Sequence, residues 1–123
     1  MPEIQVIFYQ EKDGTVPILE WLDDLIPKAR AKCIVKVERL GSLGHELRRP
    51  EADYLRDDIY ELRVGYQGIN YRILYFFHGR TAAIVSHGLL KGRQVPSQEI
   101  DLAIQRKQLF EQYPDQHTFT LEK

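Results

Sequence analysis

Residues 59–90 read IYELRVGYQGINYRILYFFHGRTAAIVSHGLL, and this stretch decides the fold. It holds three runs rich in β-branched and aromatic residues, Ile59 to Val64, Tyr71 to Phe77 and Ala82 to Leu89. Gly65-Tyr66-Gln67-Gly68 and His78-Gly79-Arg80 separate them. Connections this short join antiparallel neighbours, because a parallel pairing needs a crossover of about a dozen residues or more. The reading is a meander of three strands.

Side chains alternate across a strand. Tyr60, Leu62 and Val64 therefore share one face, with Ile59, Glu61 and Arg63 on the other. In the next run Arg72 lies with Leu74 and Phe76, opposite Tyr71, Ile73, Tyr75 and Phe77. In the last, strict alternation groups Ala83, Val85, His87 and Leu89 against Ala82, Ile84 and Ser86. Arg63, Arg72 and His87, joined by Lys91 and Arg93 from the following loop, can meet in one concavity, but the strand register that decides this is not written in the sequence.

Upstream, Ile4 to Tyr9 (IQVIFY) reads as a first strand that ends at Lys12-Asp13-Gly14. Thr15 is placed to cap a helix carrying Ile18, Leu19, Leu22 and Leu25 at helical spacing. A second helix starts near Pro27, turns Ala31, Ile34, Val35, Val37 and Leu40 inward, and stops at Gly41 to Gly44. The two make a helical hairpin. Leu47 to Asp58 reads as a loop followed by a short strand. Downstream, Pro96 opens a last helix striped by Ile100, Ala103, Ile104 and Leu109, and Pro114 ends it. The residues beyond Pro114 either fray or add an edge segment. The fold class is thus α+β, with an N-terminal strand and helical hairpin packed on a small antiparallel sheet and a C-terminal helix.

A chain of 123 residues with 43% hydrophobic content suits one domain, residues 1–123. The single cysteine, Cys33, has no internal disulfide partner, and the start of the chain lacks the pattern of a secretory leader, which together point to a cytoplasmic setting. No apolar run approaches the roughly 20 residues that cross a bilayer, so no membrane partner is expected. A net charge of −1 argues against a polyanionic partner until its distribution is considered. From Ile59 to Arg93, Arg63, Arg72, Arg80, Lys91 and Arg93 oppose Glu61 alone, leaving +4 there and −5 on the rest.

Such a cluster suits attack of a ribose 2′-hydroxyl on the adjacent phosphate, which needs a base, an acid and cations for the phosphorane. His87 titrates near neutrality and can serve as base or acid. Arg63 and Arg72 offer planar multi-donor contacts, and Lys91 a compact charge, with no metal required. Each residue also has a structural reading: Arg63 paired with Glu61 or Asp58, Arg72 in a buried pair, His87 as an ordinary hydrogen-bonded histidine, and Lys91 and Arg93 in a solvated loop. Other constellations fail. His45, His78, His87 and His117 are scattered without metal-ligand spacing, Cys33 falls in a helical apolar pattern, and Gly41-Ser42-Leu43-Gly44 lacks the Gly-Lys-Ser/Thr of a phosphate loop. Trp21, Tyr54 and Tyr66 are candidates for stacking on bases or for packing.

Tyr60-Glu61-Leu62-Arg63, then Tyr71-Arg72-Ile73-Leu74-Tyr75, then Ser86-His87-Gly88-Leu89-Leu90-Lys91, then Pro96, Glu99-Ile100 and Ala103 on a helix, form an ordered set. In this set the chain resembles the RelE/ParE toxin superfamily, and more closely its phage-derived HigB-like branch. The resemblance implies a toxin silenced by an antitoxin encoded in an adjacent gene, acting at the ribosome as a metal-independent, cofactor-free endoribonuclease on messenger RNA. It implies catalytic roles for Arg63, His87 and Lys91, and RNA or phosphate contacts for Arg72 and Arg93. A groove on the sheet or along the helices is then expected to accept an antitoxin segment, as helix or added strand. Departures are visible: the double lysine of that branch is Lys91-Gly92-Arg93 here, and no tyrosine lies on the last helix at the position where some ribonuclease relatives keep one. The alternatives are a non-catalytic toxin that inhibits DNA gyrase by binding through the helical hairpin, or a repurposed phage-derived regulatory binding protein.

Overall fold

The computed structural model describes residues 3–90, 92 and 94–120. Strand β1 (Gln5–Tyr9) leads into helices α1 (Pro17–Asp23) and α2 (Pro27–Leu43). Strands β2 (Ala52–Arg56), β3 (Ile59–Tyr66), β4 (Ile69–His78) and β5 (Ala82–Leu90) follow, then helix α3 (Ser97–Gln112) and a short strand β6 (Thr118–Phe119). They form one mixed sheet in the order β2-β3-β4-β5-β1-β6. The meander is antiparallel as expected. Strand β1 instead pairs parallel with β5, a geometry open to it because α1, α2 and three strands lie between the two in the chain. The segment beyond Pro114 adds an antiparallel edge strand to β1.

Two of the hairpin turns follow from local chemistry. Gln67 and Gly68 (φ 51° and 79°) between β3 and β4, and Asp57 and Asp58 (φ 51° and 66°) between β2 and β3, all have positive φ. Two-residue loops with both central residues left-handed match the twist of the strands they join, and Gly and Asp tolerate that conformation best.

The sheet carries a core on each face. Helices α1 and α2 cover Leu62, Val64, Tyr71, Ile73, Tyr75, Ala83 and Val85 with Ile18, Leu22, Ala29, Cys33, Val37 and Leu40. Helix α3 covers Ile59, Leu74, Phe76 and Ile84 with Ile100, Ala103 and Phe110. Three details of the helices differ from expectation. Val16, not Thr15, stands at the α1 N-cap, and the Thr15 N–H turns back to Asp13 Oδ1 at 2.9 Å. The inward face of α2 runs through Ala29, Cys33, Val37 and Leu40, leaving Ala31, Ile34 and Val35 exposed. On α3, Phe110 rather than Leu109 closes the buried stripe.

Candidate active site

The sequence motif Ser86-His87-Gly88 is a β-bulge. Leu74 pairs with His87 and Tyr75 with Val85, so Ser86 has no opposite residue. An extra residue shifts the alternation by one. His87 and Leu89, expected to share a face with Val85, therefore emerge on the opposite side, the face of Arg72 and Leu74. Gly88 takes the α1 side, where a Cβ would overlap the indole ring of Trp21.

The shift assembles the site. Arg63 lies directly opposite Arg72, Arg72 opposite Leu89 and Leu74 opposite His87. Arg63, Arg72 and His87 thus share the α3 face of the sheet, on three adjacent strands. Glu61, one alternation step before Arg63, is 1% exposed and lies between the arginines. Its Oε2 accepts from Arg63 Nε at 3.0 Å, and its Oε1 pairs with Arg72 Nε at 3.1 Å. Asp53 on β2 accepts from Arg63 Nη2 at 2.9 Å and pairs with Arg49 at 3.0 Å. Like charges facing across two strands repel, and the carboxylate between them makes the Arg63–Arg72 register tenable. Arg72 is otherwise internal, donating from Nη1 to the Tyr71 carbonyl at 3.2 Å, whereas about a third of the Arg63 side chain is exposed.

His87 sits beneath the first turn of α3. Its Nε2 bonds Glu99 Oε1 at 2.9 Å and its Nδ1 bonds Ser86 Oγ at 2.7 Å. A carboxylate only accepts, so Nε2 carries the proton and Nδ1 accepts from the Ser86 hydroxyl. Arg106 on α3 approaches the Ser86 hydroxyl and carbonyl at 3.5 and 3.4 Å, donates to Glu11 at 2.8 Å and covers the Tyr9 ring. Burial, and then the Arg106 charge, hold the His87 pKa below its ordinary value against the opposing pull of Glu99. The imidazole is neutral at pH 7.

The expected residues therefore divide. Arg63, Arg72 and His87 come together; Lys91 and Arg93 lie outside the described residues. Asp53, Ser86, Glu99 and Arg106 were missed as members of the site. The spacing of Glu99 and Arg106 on one helix shows that they share a side, but only the tertiary structure shows that this side faces β5. Among the described residues no group of three or more His, Cys, Asp or Glu could hold a metal ion, and no helix is long and apolar enough to cross a membrane.

A family model described as "Phage derived protein Gp49-like (DUF891)" matches residues 20–108, which include every strand from β2 to β5 and most of α3. No curated protein matches the chain.

Proposed function

The chain belongs to the Gp49-like family of phage-derived proteins, within the RelE/ParE-like grouping of toxin–antitoxin toxins, and from that premise we propose that it is a type II toxin that cuts messenger RNA on the ribosome. The observation that carries this reading is the gathering of Arg63, Arg72 and His87 on one face of the sheet through the bulge at Ser86. Arg63 reaches solvent and is the guanidinium for the scissile phosphate, exchanging its carboxylate partners for phosphate oxygens. Arg72, mostly buried, positions Glu61 and through it Arg63. His87 is the acid–base group. Its working atom is Nε2, because the covering group there is Glu99, whose side chain is 37% exposed, whereas Ser86 on Nδ1 is fully buried. For Nε2 to take the 2′-hydroxyl proton, Glu99 gives way to the substrate and the imidazole proton moves to Nδ1, where the Ser86 hydroxyl turns to accept it. Lys91 and Arg93 follow β5 in the chain and are the next basic residues to substitute. On this reading the partners are the ribosome with its message and an antitoxin from an adjacent gene.

A second reading also has an observation behind it. Both arginines are engaged by carboxylates and the imidazole is covered at both nitrogens, an arrangement that suits a binding protein without chemistry, directed at DNA gyrase or used for regulation. Adding the purified protein to a bacterial translation extract and mapping message ends by primer extension separates the two. The nuclease reading expects cuts only when ribosomes are present, lost in Arg63→Ala and His87→Ala while circular dichroism and melting still report a folded chain. Intact message with the folded wild-type protein overturns it.

A further inference from the structure

A second concavity lies beside the arginine cluster, on the other side of edge strand β2. It encloses about 450 Å³ and is lined by His45, Arg48, Arg49, Asp53, Tyr54 and Tyr60, with Leu47 and Ala52 at its base. Its wall is aromatic. Tyr54, 50% exposed, stands edge-on to Tyr60 with centroids 5.2 Å apart, and Tyr60 stacks in turn on Tyr75. The His45 ring stacks on Phe77 at 3.8 Å. The Tyr54 hydroxyl accepts from the Asp58 N–H at 3.1 Å, which fixes the ring at the mouth. Its rim is cationic. Arg48 is exposed, and its guanidinium has no hydrogen bond or ion pair among the described residues. Asp53, the carboxylate on this wall, is already shared by Arg49 and Arg63, so it does not repel an anion as a bare carboxylate would.

A flat apolar face beside uncommitted positive charge is what a nucleotide unit requires: the base stacks and the phosphate meets a guanidinium. Asp53 also ties the two concavities together. Because one carboxylate holds both Arg49 and Arg63, these guanidinia can meet neighbouring phosphates of one strand that crosses β2.

We infer that the bowl bounded by His45, Arg48, Tyr54 and Tyr60 binds one nucleotide of a single-stranded RNA whose next phosphates lie at Arg63. This rests on the RNA-directed reading above but requires no cleavage. The base stacks on Tyr54 and its phosphate pairs with Arg48.

The test is binding of an uncleavable 2′-O-methyl RNA hexamer, followed by NMR on the full-length protein and by fluorescence anisotropy, with adenosine and uridine 5′-monophosphates titrated in parallel. The hexamer is expected to move the resonances of His45, Tyr54 and Tyr60. Tyr54→Ala is expected to weaken binding about tenfold or more, with Tyr54→Phe restoring it, since the stacking face is what matters. Arg48→Ala should flatten the slope of log K against log salt by about 0.7, the share of one phosphate on a single strand. Saturation by a mononucleotide with no gain in affinity for the hexamer would make the ligand a free nucleotide and overturn the strand path. Unmoved bowl resonances with every probe, or full affinity in Tyr54→Ala, overturn the site itself. Hexamer binding at the bowl without message cleavage in the extract would retire the nuclease reading and leave this site standing.

Discussion

At the scale of single residues, the site is governed by groups held against close partners. His87 is held neutral, so its folded-state pKa lies below that of the unfolded chain. The folded form then binds fewer protons than the unfolded form as pH falls through the ordinary histidine range, and stability present above about pH 6.5 declines below it. Urea unfolding at pH 7.5 and 5.5 should show a drop in midpoint that shrinks in His87→Gln; an equal drop in both proteins would assign the effect elsewhere. Gly88 is the complementary case. Its backbone is ordinary, but the absence of a side chain lets Trp21 lie flat on β5 and meet Tyr71 edge-on at 6.2 Å. Gly88→Ala is expected to cost about 1–3 kcal/mol as an overpacked contact and to shift the tryptophan emission. The sequence showed Ser86-His87-Gly88 as a motif; it could not show that glycine there is a packing requirement, because Trp21 arrives from an element some 65 residues earlier in the chain.

At the scale of elements, the strands were legible and the phases were not. Composition and turn chemistry gave the meander, since alternating apolar runs bounded by Gly and Asp have few other solutions. The bulge at Ser86 was hidden because it breaks the alternation from which faces are read, and the run Ser86-His87-Gly88 offers no hydrophobic contrast to reveal the slip. Helix α2 misleads for a related reason: Ile34 and Val35 are apolar but exposed, while Cys33 and Ala29, weaker hydrophobic signals, point inward. The buried phase is therefore testable by contrast. Leu40→Ala, in a fully buried position, should lower stability by about 2–5 kcal/mol, and Val35→Lys should change it by no more than about 0.5 kcal/mol. Chemical denaturation with an unchanged m-value is the appropriate readout. Comparable losses in both variants would mean that the Ile34–Val35 face is covered in solution.

At the scale of the whole molecule, charge is the quantity that sequence averages conceal twice. A net charge of −1 hides the basic stretch from Ile59 to Arg93, and that stretch in turn hides its neutralisation, because Asp53 from the acidic part of the chain folds against Arg63 and Arg49. Buried Glu61 completes this compensation between Arg63 and Arg72, and removing it would strand the buried Arg72 guanidinium, so its substitution is expected to unfold the protein rather than activate it. Asp53 is the better lever. It is partly exposed, and its removal leaves Arg63 still tied to Glu61 while freeing Arg49 entirely. On the proposed RNA-directed reading, affinity is then limited by internal competition between carboxylate and phosphate for the same guanidinia. Asp53→Asn is expected to raise affinity for the uncleavable hexamer and to steepen its salt dependence by about 0.7 to 1.4 in log–log slope, one to two additional phosphates. Anisotropy titrations across a salt series measure both. A steeper slope with tighter binding would identify Asp53 as the group that keeps the free protein off RNA. An unchanged slope would mean that Asp53 does not withhold Arg49 or Arg63 from phosphate, and the competition between carboxylate and phosphate would have to be abandoned.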